Sequence, residues 1–105
     1  VNGIRLISQK VEMGADDMKN ISFQLRKEDK LALVLGSKVG AKALLSVMLT
    51  DDLIAKGLDA EVIIRQIAKE IHGGGGGQAF FATAGGSNPG GIKNAFSRAK
   101  EIIEN

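Results

Sequence analysis

Residues 59–77 read Asp-Ala-Glu-Val-Ile-Ile-Arg-Gln-Ile-Ala-Lys-Glu-Ile-His-Gly-Gly-Gly-Gly-Gly. From Ala60 to Ile71, apolar side chains recur at the spacing of a helix that buries one face. Asp59 is a residue type that caps helix N-termini, and Gly73 is the type favoured just past a helix end. We therefore expect an amphipathic helix that begins at Asp59, ends at Gly73 and packs on a sheet.

The rest of the chain supplies the elements that this helix needs as partners. Alternation, short apolar runs and turn residues predict strands over 4–11, 31–35, 44–49 and 80–84. A short helix is predicted over 16–28, capped by Asp16 or Asp17. A last helix is predicted to be capped by Ser87 or Asn88, with Pro89 in its first turn. The two middle strands form a hairpin. The order β-α-β-β-α-β-α indicates an α/β fold, with a single sheet of about four strands and three helices packed on it.

Composition narrows the class of protein. A chain of 105 residues suits one domain, over residues 1–105, and its start at Val1 favours a fragment of a longer chain. The sequence has no cysteine, which excludes disulfides and thiol ligands and fits a reducing, cytoplasmic compartment. No apolar run approaches the roughly 18 residues of a membrane span, so we expect no membrane partner. The net charge of +2 does not by itself indicate nucleic acid.

The glycine run Gly73–Gly77 is the most unusual feature of the sequence. Ordering glycine costs more backbone entropy than ordering any other residue, so five in a row are a poor choice for simple connection. Glycines allow a positive φ, a concave row of N–H groups for an anion, and close approach of a ligand. Neither a Walker loop nor a dinucleotide fingerprint fits, because no Lys-Ser/Thr follows and the run comes after a helix. We expect an ordered binding surface, with a flexible linker as the alternative.

Charged and aromatic side chains suggest further contacts. No carboxylate lies between Asp29 and Asp51 or between Glu70 and Glu101, and these stretches carry six bases, Lys30, Lys38, Lys42, Lys93, Arg98 and Lys100. They could form one anion-attracting face or remain ordinary solvated surface. Phe80 and Phe81 alternate, so we expect Phe81 in the core and Phe80 on the opposite side, where it could stack on a base. We interpret His72 as a helix-end residue.

These motifs together resemble a known family. The helix that ends in His72, the five glycines and the following Phe81-Ala-Thr-Ala-Gly-Gly86 are similar to the DHH-associated domain found at the C-terminus of alanyl-tRNA synthetases. Met-Lys-x-Ile-Ser-x-Gln-Leu-Arg over 18–26 and Asp-Leu-Ile-Ala-Lys-Gly-Leu-Asp over 52–59 match in order. One departure is visible, because Gln78, Ala79 and Phe80 stand where the family usually has a basic residue and an acid.

The resemblance implies a function as well as a fold. It implies binding of alanine-specific tRNA at the elbow, which supports aminoacylation and editing by other domains of the same chain. The candidate RNA-binding residues are Gly73, Gly74, Gly75, Gly76, Gly77, Gln78, Gly85 and Gly86, to which the charge pattern adds Lys38, Lys42 and Lys69. We expect no catalytic residue, metal or cofactor in this chain, with ATP and zinc implied only for absent parts of the parent ligase.

Two other functions remain open from the sequence. The same domain serves as the substrate-binding half of DHH-type phosphoesterases, which act on single-stranded nucleic acid or a small phosphorylated substrate. The parent family also often dimerises through this region, so an assembly module that forms a homodimer is the third interpretation.

Overall fold

The computed structural model describes residues 3–104. In chain order the elements are β1 (Arg5–Val11), α1 (Ala15–Leu25), β2 (Leu31–Val39), β3 (Lys42–Leu49), α2 (Asp51–Ala55), α3 (Ala60–Ile67), a 3-10 helix (Ala68–Ile71), β4 (Gly73–Gly77), β5 (Phe81–Gly86), a second 3-10 helix (Pro89–Gly91) and α4 (Ile92–Glu104). The α/β prediction is confirmed, with five strands where about four were expected, because the glycine run is itself a strand.

The strands form one mixed sheet in the order β1-β2-β3-β5-β4. The outer strand β1 runs parallel to β2, and the other three pairs are antiparallel. The predicted hairpin is confirmed, with Val39 opposite Lys42 beside its turn. The glycine strand β4 lies at the sheet edge and pairs only with β5, from Gly73 opposite Gly86 to Gly77 opposite Ala82.

The two faces of the sheet are covered unequally. On one face α3, α4 and the first 3-10 helix bury the main core, to which α3 contributes Ile63, Ile64 and Ile67. On the other face, α1 is the only covering helix within residues 3–104, and its Met18 packs with Leu33, Leu35 and Met48 of β2 and β3 in a smaller core. Consequently the α1 side of β5 is left open, and Thr83 and Gly85 are exposed there although β5 is an interior strand.

Helix ends agree with the sequence in part. The Asp59 carboxylate caps α3 as predicted, since Oδ1 accepts from the N–H groups of Glu61 at 2.8 Å and Val62 at 3.3 Å. The helix does not continue unchanged to Gly73, because its last turn tightens into the 3-10 helix and His72 ends it in the left-handed conformation, with φ 54°.

The capping prediction for α1 was wrong, and the prediction for the last helix is confirmed only for the positions of Asn88 and Pro89. Gly14 is the N-cap of α1, and the two aspartates lie inside its first turn, where their charge still favours the helix. Asn88 precedes the 3-10 helix with Pro89 in its first turn, but its side chain does not cap that helix. The Asn88 side-chain amide instead donates to the Glu70 carbonyl at 3.2 Å and so joins the residue before the second 3-10 helix to the first 3-10 helix.

Asp52 joins three elements at one end of the sheet. Its carboxylate accepts from the Thr50 hydroxyl at 2.6 Å and from the Lys30 N–H at 2.9 Å. These bonds favour the charged form, and the bond from Thr50 in particular lowers the Asp52 pKa below 3.8. Asp51 and Asp52 form the first turn of α2. Within residues 3–104 no helix is long and apolar enough to cross a membrane.

Candidate nucleic-acid interface

The glycine strand is held against β5 at a distance that side chains do not permit. A Cβ atom added at Gly75 would lie 2.7 Å from Ala84 Cα and would also meet the Thr83 carbonyl oxygen, although real Cβ atoms stay at least 3.0 Å away. Positions 73 and 77 meet the β5 backbone in the same way. Alternate glycines are therefore required by the fold, because they allow the two backbones to pair this closely. The run Gly73–Gly77 is therefore an extended strand and not the concave row of N–H groups that glycines would also allow.

Gly74 and Gly76, which alternate with these three glycines, are not required by the packing against β5. A Cβ atom at Gly74 would meet nothing within 4 Å, and one at Gly76 would come no closer than 3.7 Å to Glu61. The backbone of β5 therefore leaves room for side chains at both positions. Glycine at Gly74 and Gly76 leaves the backbone bare, which permits close approach of a ligand.

The outer edge of β4 presents backbone N–H groups together with carbonyl groups. The Gln78 N–H donates to the Phe81 carbonyl at 2.9 Å, which fixes the phase of the β4–β5 ladder. Hydrogen-bonded pairs alternate in an antiparallel ladder, so the N–H groups of Gly73 and Gly75 point away from β5. At the far end, the Gly77 N–H donates to Glu61 Oε2 at 3.2 Å. The open part of the edge is thus the half that begins at Gly73.

A groove runs between the start of α1 and the glycine strand, on the open face of the sheet. Its volume is about 340 Å³. Its floor and walls are formed by small or apolar residues: Ala15, Met18, Leu44, Leu45, Ser46, Gly74, Gly75, Gly76, Thr83, Ala84 and Gly85. The sequence had singled out four of these, all glycines. The residue that it missed and could have flagged is Ser46, the one polar position in the apolar run 44–49.

The three predicted lysines are not brought together on one face. Strand alternation places Lys42 on the α1 side with Leu44, and Lys42 shares a cleft of about 350 Å³ with Gly85 and Gly86. Lys38 lies on the opposite face of the sheet, by the same alternation. Lys69 is exposed in the helix layer, four residues before Gly73. Among the described residues, none of the three makes an ion pair.

The aromatic prediction was wrong about which faces are used. Phe80 and Phe81 do not lie on opposite sides, because both contact Phe23 of α1, with ring centroids 6.0 and 5.3 Å apart. The Arg26 guanidinium lies over the Phe80 ring, 3.9 Å from its centroid, and so occupies the face that a base would use. Phe23 is the more exposed aromatic residue, at 40%.

Comparison with known proteins places this geometry in a family. The model of the DHHA1 domain matches residues 3–105 of this chain, and the chain belongs to that family. An alanine–tRNA ligase of Christiangramia forsetii is 43% identical over 99% of this chain, and one of Bacteroides fragilis strain YCH46 is 45% identical over 97%. The chain spans only 12% of either relative.

The structural comparison finds a solved domain with the same fold. The crystal structure of the C-Ala domain of Aquifex aeolicus alanyl-tRNA synthetase aligns with a TM-score of 0.90 and 27% identity, over 97% of this chain and 93% of that one. Sequence and structure thus agree that this DHHA1 domain is similar to the C-terminal part of alanine–tRNA ligases that is called the C-Ala domain.

Proposed function

We propose that this domain binds tRNA on the open face formed by β4 and β5. The observation that carries the proposal is the bare backbone at Gly74 and Gly76, which the packing of the domain does not require. Thr83 and Gly85 extend this surface onto β5 and are exposed. Membership of the C-Ala group supports tRNA as the ligand, since the relatives are named alanine–tRNA ligases.

The two ends of the glycine strand differ in charge, with lysines near Gly73 and a carboxylate near Gly77. Lys42 lies beside Ala43, which pairs with Gly86, and Gly86 pairs with Gly73. Lys69 approaches the same end of β4 from the helix layer. The other end carries the Glu61 carboxylate. Phosphates are attracted to lysines and outward N–H groups and repelled by a carboxylate, so the RNA backbone crosses the Gly73 end of the strand.

The bound part of the tRNA is its elbow, where the D and T loops meet. A surface of backbone and small side chains favours recognition by shape and stacking over sequence reading, as is usual for structured RNA. The domain then holds one alanine-specific tRNA for the catalytic and editing domains of a longer cytoplasmic ligase, with a homodimer as a further assembly. In this proposal the domain binds RNA without ATP or zinc and catalyses nothing alone.

Electrophoretic mobility shifts with two RNAs test the proposal. Full-length alanine tRNA contains the elbow, whereas an acceptor minihelix lacks it. We expect the domain to retard the tRNA at concentrations that leave the minihelix free. Equal affinity for the two RNAs would exclude the elbow, and no affinity for either would exclude tRNA binding by this domain.

A matched pair of glycine variants tests the surface. Gly74→Val adds a branched side chain to the bare edge without a clash inside the domain, and Gly14→Val adds the same group before α1, where nothing lies within 4 Å either. We expect Gly74→Val to weaken tRNA binding at least tenfold while Gly14→Val stays within twofold of the parent. Equal affinities for the two variants would contradict the assignment.

A further inference from the structure

The hydroxyl group of Ser46 lies buried beside the groove without a hydrogen-bond partner. Ser46 is 0% exposed, and its Oγ is one of only two buried side-chain oxygens in residues 3–104 that lack a partner. A buried hydroxyl without a hydrogen-bond partner costs free energy, and buried polar groups in native proteins nearly always have a partner. Ser46 lines the groove between α1 and the glycine strand, and a ligand in that groove supplies the missing partner.

The groove lining defines what that ligand is. None of the residues that form the groove is ionisable, so the group that enters it is uncharged. Gly74, Gly75 and Gly76 line the groove on the β4 side, and Met18, which is 2% exposed, lines it on the α1 side. A thioether is polarizable and favours aromatic neighbours, and an unbranched side chain shifts readily to admit one. The hydroxyl groups of Ser46 and Thr83 supply polar contacts at the edge of a planar ring.

Cations stand outside the groove rather than inside it. Ala15 lines its α1 wall, and Lys19 follows one turn later on the same helix face, with its Nζ 5.5 Å from the centroid of the Phe23 ring. A neutral groove with an exposed lysine one turn further along α1 matches a nucleotide whose base enters the groove and whose phosphate stays outside.

We propose that the groove receives an unpaired, unstacked nucleobase, with Ser46 Oγ hydrogen-bonded to its polar edge. This proposal rests on the proposed tRNA function and adds to it a base pocket that is separate from the phosphate contacts at the Gly73 end. The base comes either from a tRNA loop or from a free nucleoside, which present the same ring.

Two serine variants and two tryptophan variants test the pocket with tRNA. Ser46→Ala removes the unpartnered hydroxyl, whereas Ser37→Ala removes a hydroxyl that already donates to the Met13 carbonyl at 2.7 Å. We expect Ser46→Ala to weaken tRNA binding about threefold to tenfold without loss of thermal stability, as one hydrogen bond implies. Ser37→Ala should lower stability and leave affinity unchanged. Ala15→Trp should fill the groove and abolish base entry, while Asn20→Trp, outside the lining on the same helix, should not.

A second measurement separates this proposal from the proposed function. Adenosine, guanosine, cytidine and uridine are added at millimolar concentration to the ¹⁵N-labelled domain, and the amide signals of Ser46, Gly75 and Thr83 are followed. Shifts at these residues that Ala15→Trp removes support the pocket even if tRNA does not bind. If tRNA binds but Ser46→Ala and Ala15→Trp leave its affinity unchanged, the pocket is refuted and tRNA binding stands. No shift with any nucleoside and no affinity change would mean that water alone satisfies Ser46, and would overturn the proposal.

Discussion

Alanine at position 75 should destabilise the domain, whereas alanine at position 74 should not. At Gly75 the new Cβ atom lies 2.7 Å from both Ala84 Cα and Ala84 Cβ, at least 0.3 Å inside the 3.0 Å limit, and meets the Thr83 carbonyl as well. Because these atoms belong to an interior strand, relief requires β4 to move away and weakens its ladder. Overpacking of this kind costs about 2–3 kcal/mol, and the entropy gained by removing a glycine returns about 0.4–1 kcal/mol. The net loss is about 1–2.6 kcal/mol.

Gly74→Ala is the matched control for this effect. Its Cβ meets nothing within 4 Å, so only the entropy gain of about 0.4–1 kcal/mol remains. For a domain of this size, 1 kcal/mol changes the melting temperature by about 4–8 °C. Thermal unfolding followed by circular dichroism should therefore place Gly75→Ala about 4–20 °C below the parent and Gly74→Ala level with it or slightly above. Equal melting temperatures for the two variants would refute the claim that alternate glycines are structural.

Three further predictions concern capping, pH and salt. Asp59→Ala should lower the free energy of unfolding by about 1 kcal/mol, measured in urea, because two N–H groups of α3 lose their acceptor; Asp59→Asn should recover most of it. Asp52→Ala should lower the free energy of unfolding at neutral pH. The difference in this free energy between the variant and the parent should shrink as the pH falls from 3.8 through the lowered folded-state pKa, because the carboxylate then becomes protonated. A difference that does not depend on pH would contradict the assigned role. Lys42→Ala should make the plot of log affinity for tRNA against log salt shallower by somewhat less than one unit, whereas Lys38→Ala, on the other face, should leave the slope unchanged.

Side-chain periodicity explains which parts of the fold could be predicted. The apolar stripe of α3 and the apolar runs of the hairpin correspond to the surfaces that these elements bury. The presence of α3, β2 and β3 could therefore be predicted from the sequence. The glycine strand leaves no such record, because glycine has no side chain to alternate. Its pairing is set by β5 on one side, so the fifth strand became visible only in three dimensions.

The candidate site was predictable as a location and not as a surface. The resemblance and the glycine run pointed to the correct strand, but five identical residues cannot show that Gly75 faces the β5 backbone and Gly74 faces space. The sequence located Lys38 and Lys42 on the hairpin but could not show that they lie on opposite faces of the sheet, because that depends on the register of the two strands. Ser46 could be seen as a polar exception in the sequence, whereas its lack of a partner is a property of the packed structure.

The position of bound tRNA on the domain is the measurement that tests the account most directly. Amide hydrogen exchange is followed by mass spectrometry with and without alanine tRNA, and protection is compared between residues 73–87 and residues 92–104. The open face lies in the first segment, and α4 lies on the opposite side of the sheet. We predict strong protection across 73–87 and little change across 92–104. Protection confined to 92–104, with the glycine strand exchanging as fast as in the free domain, would contradict the account.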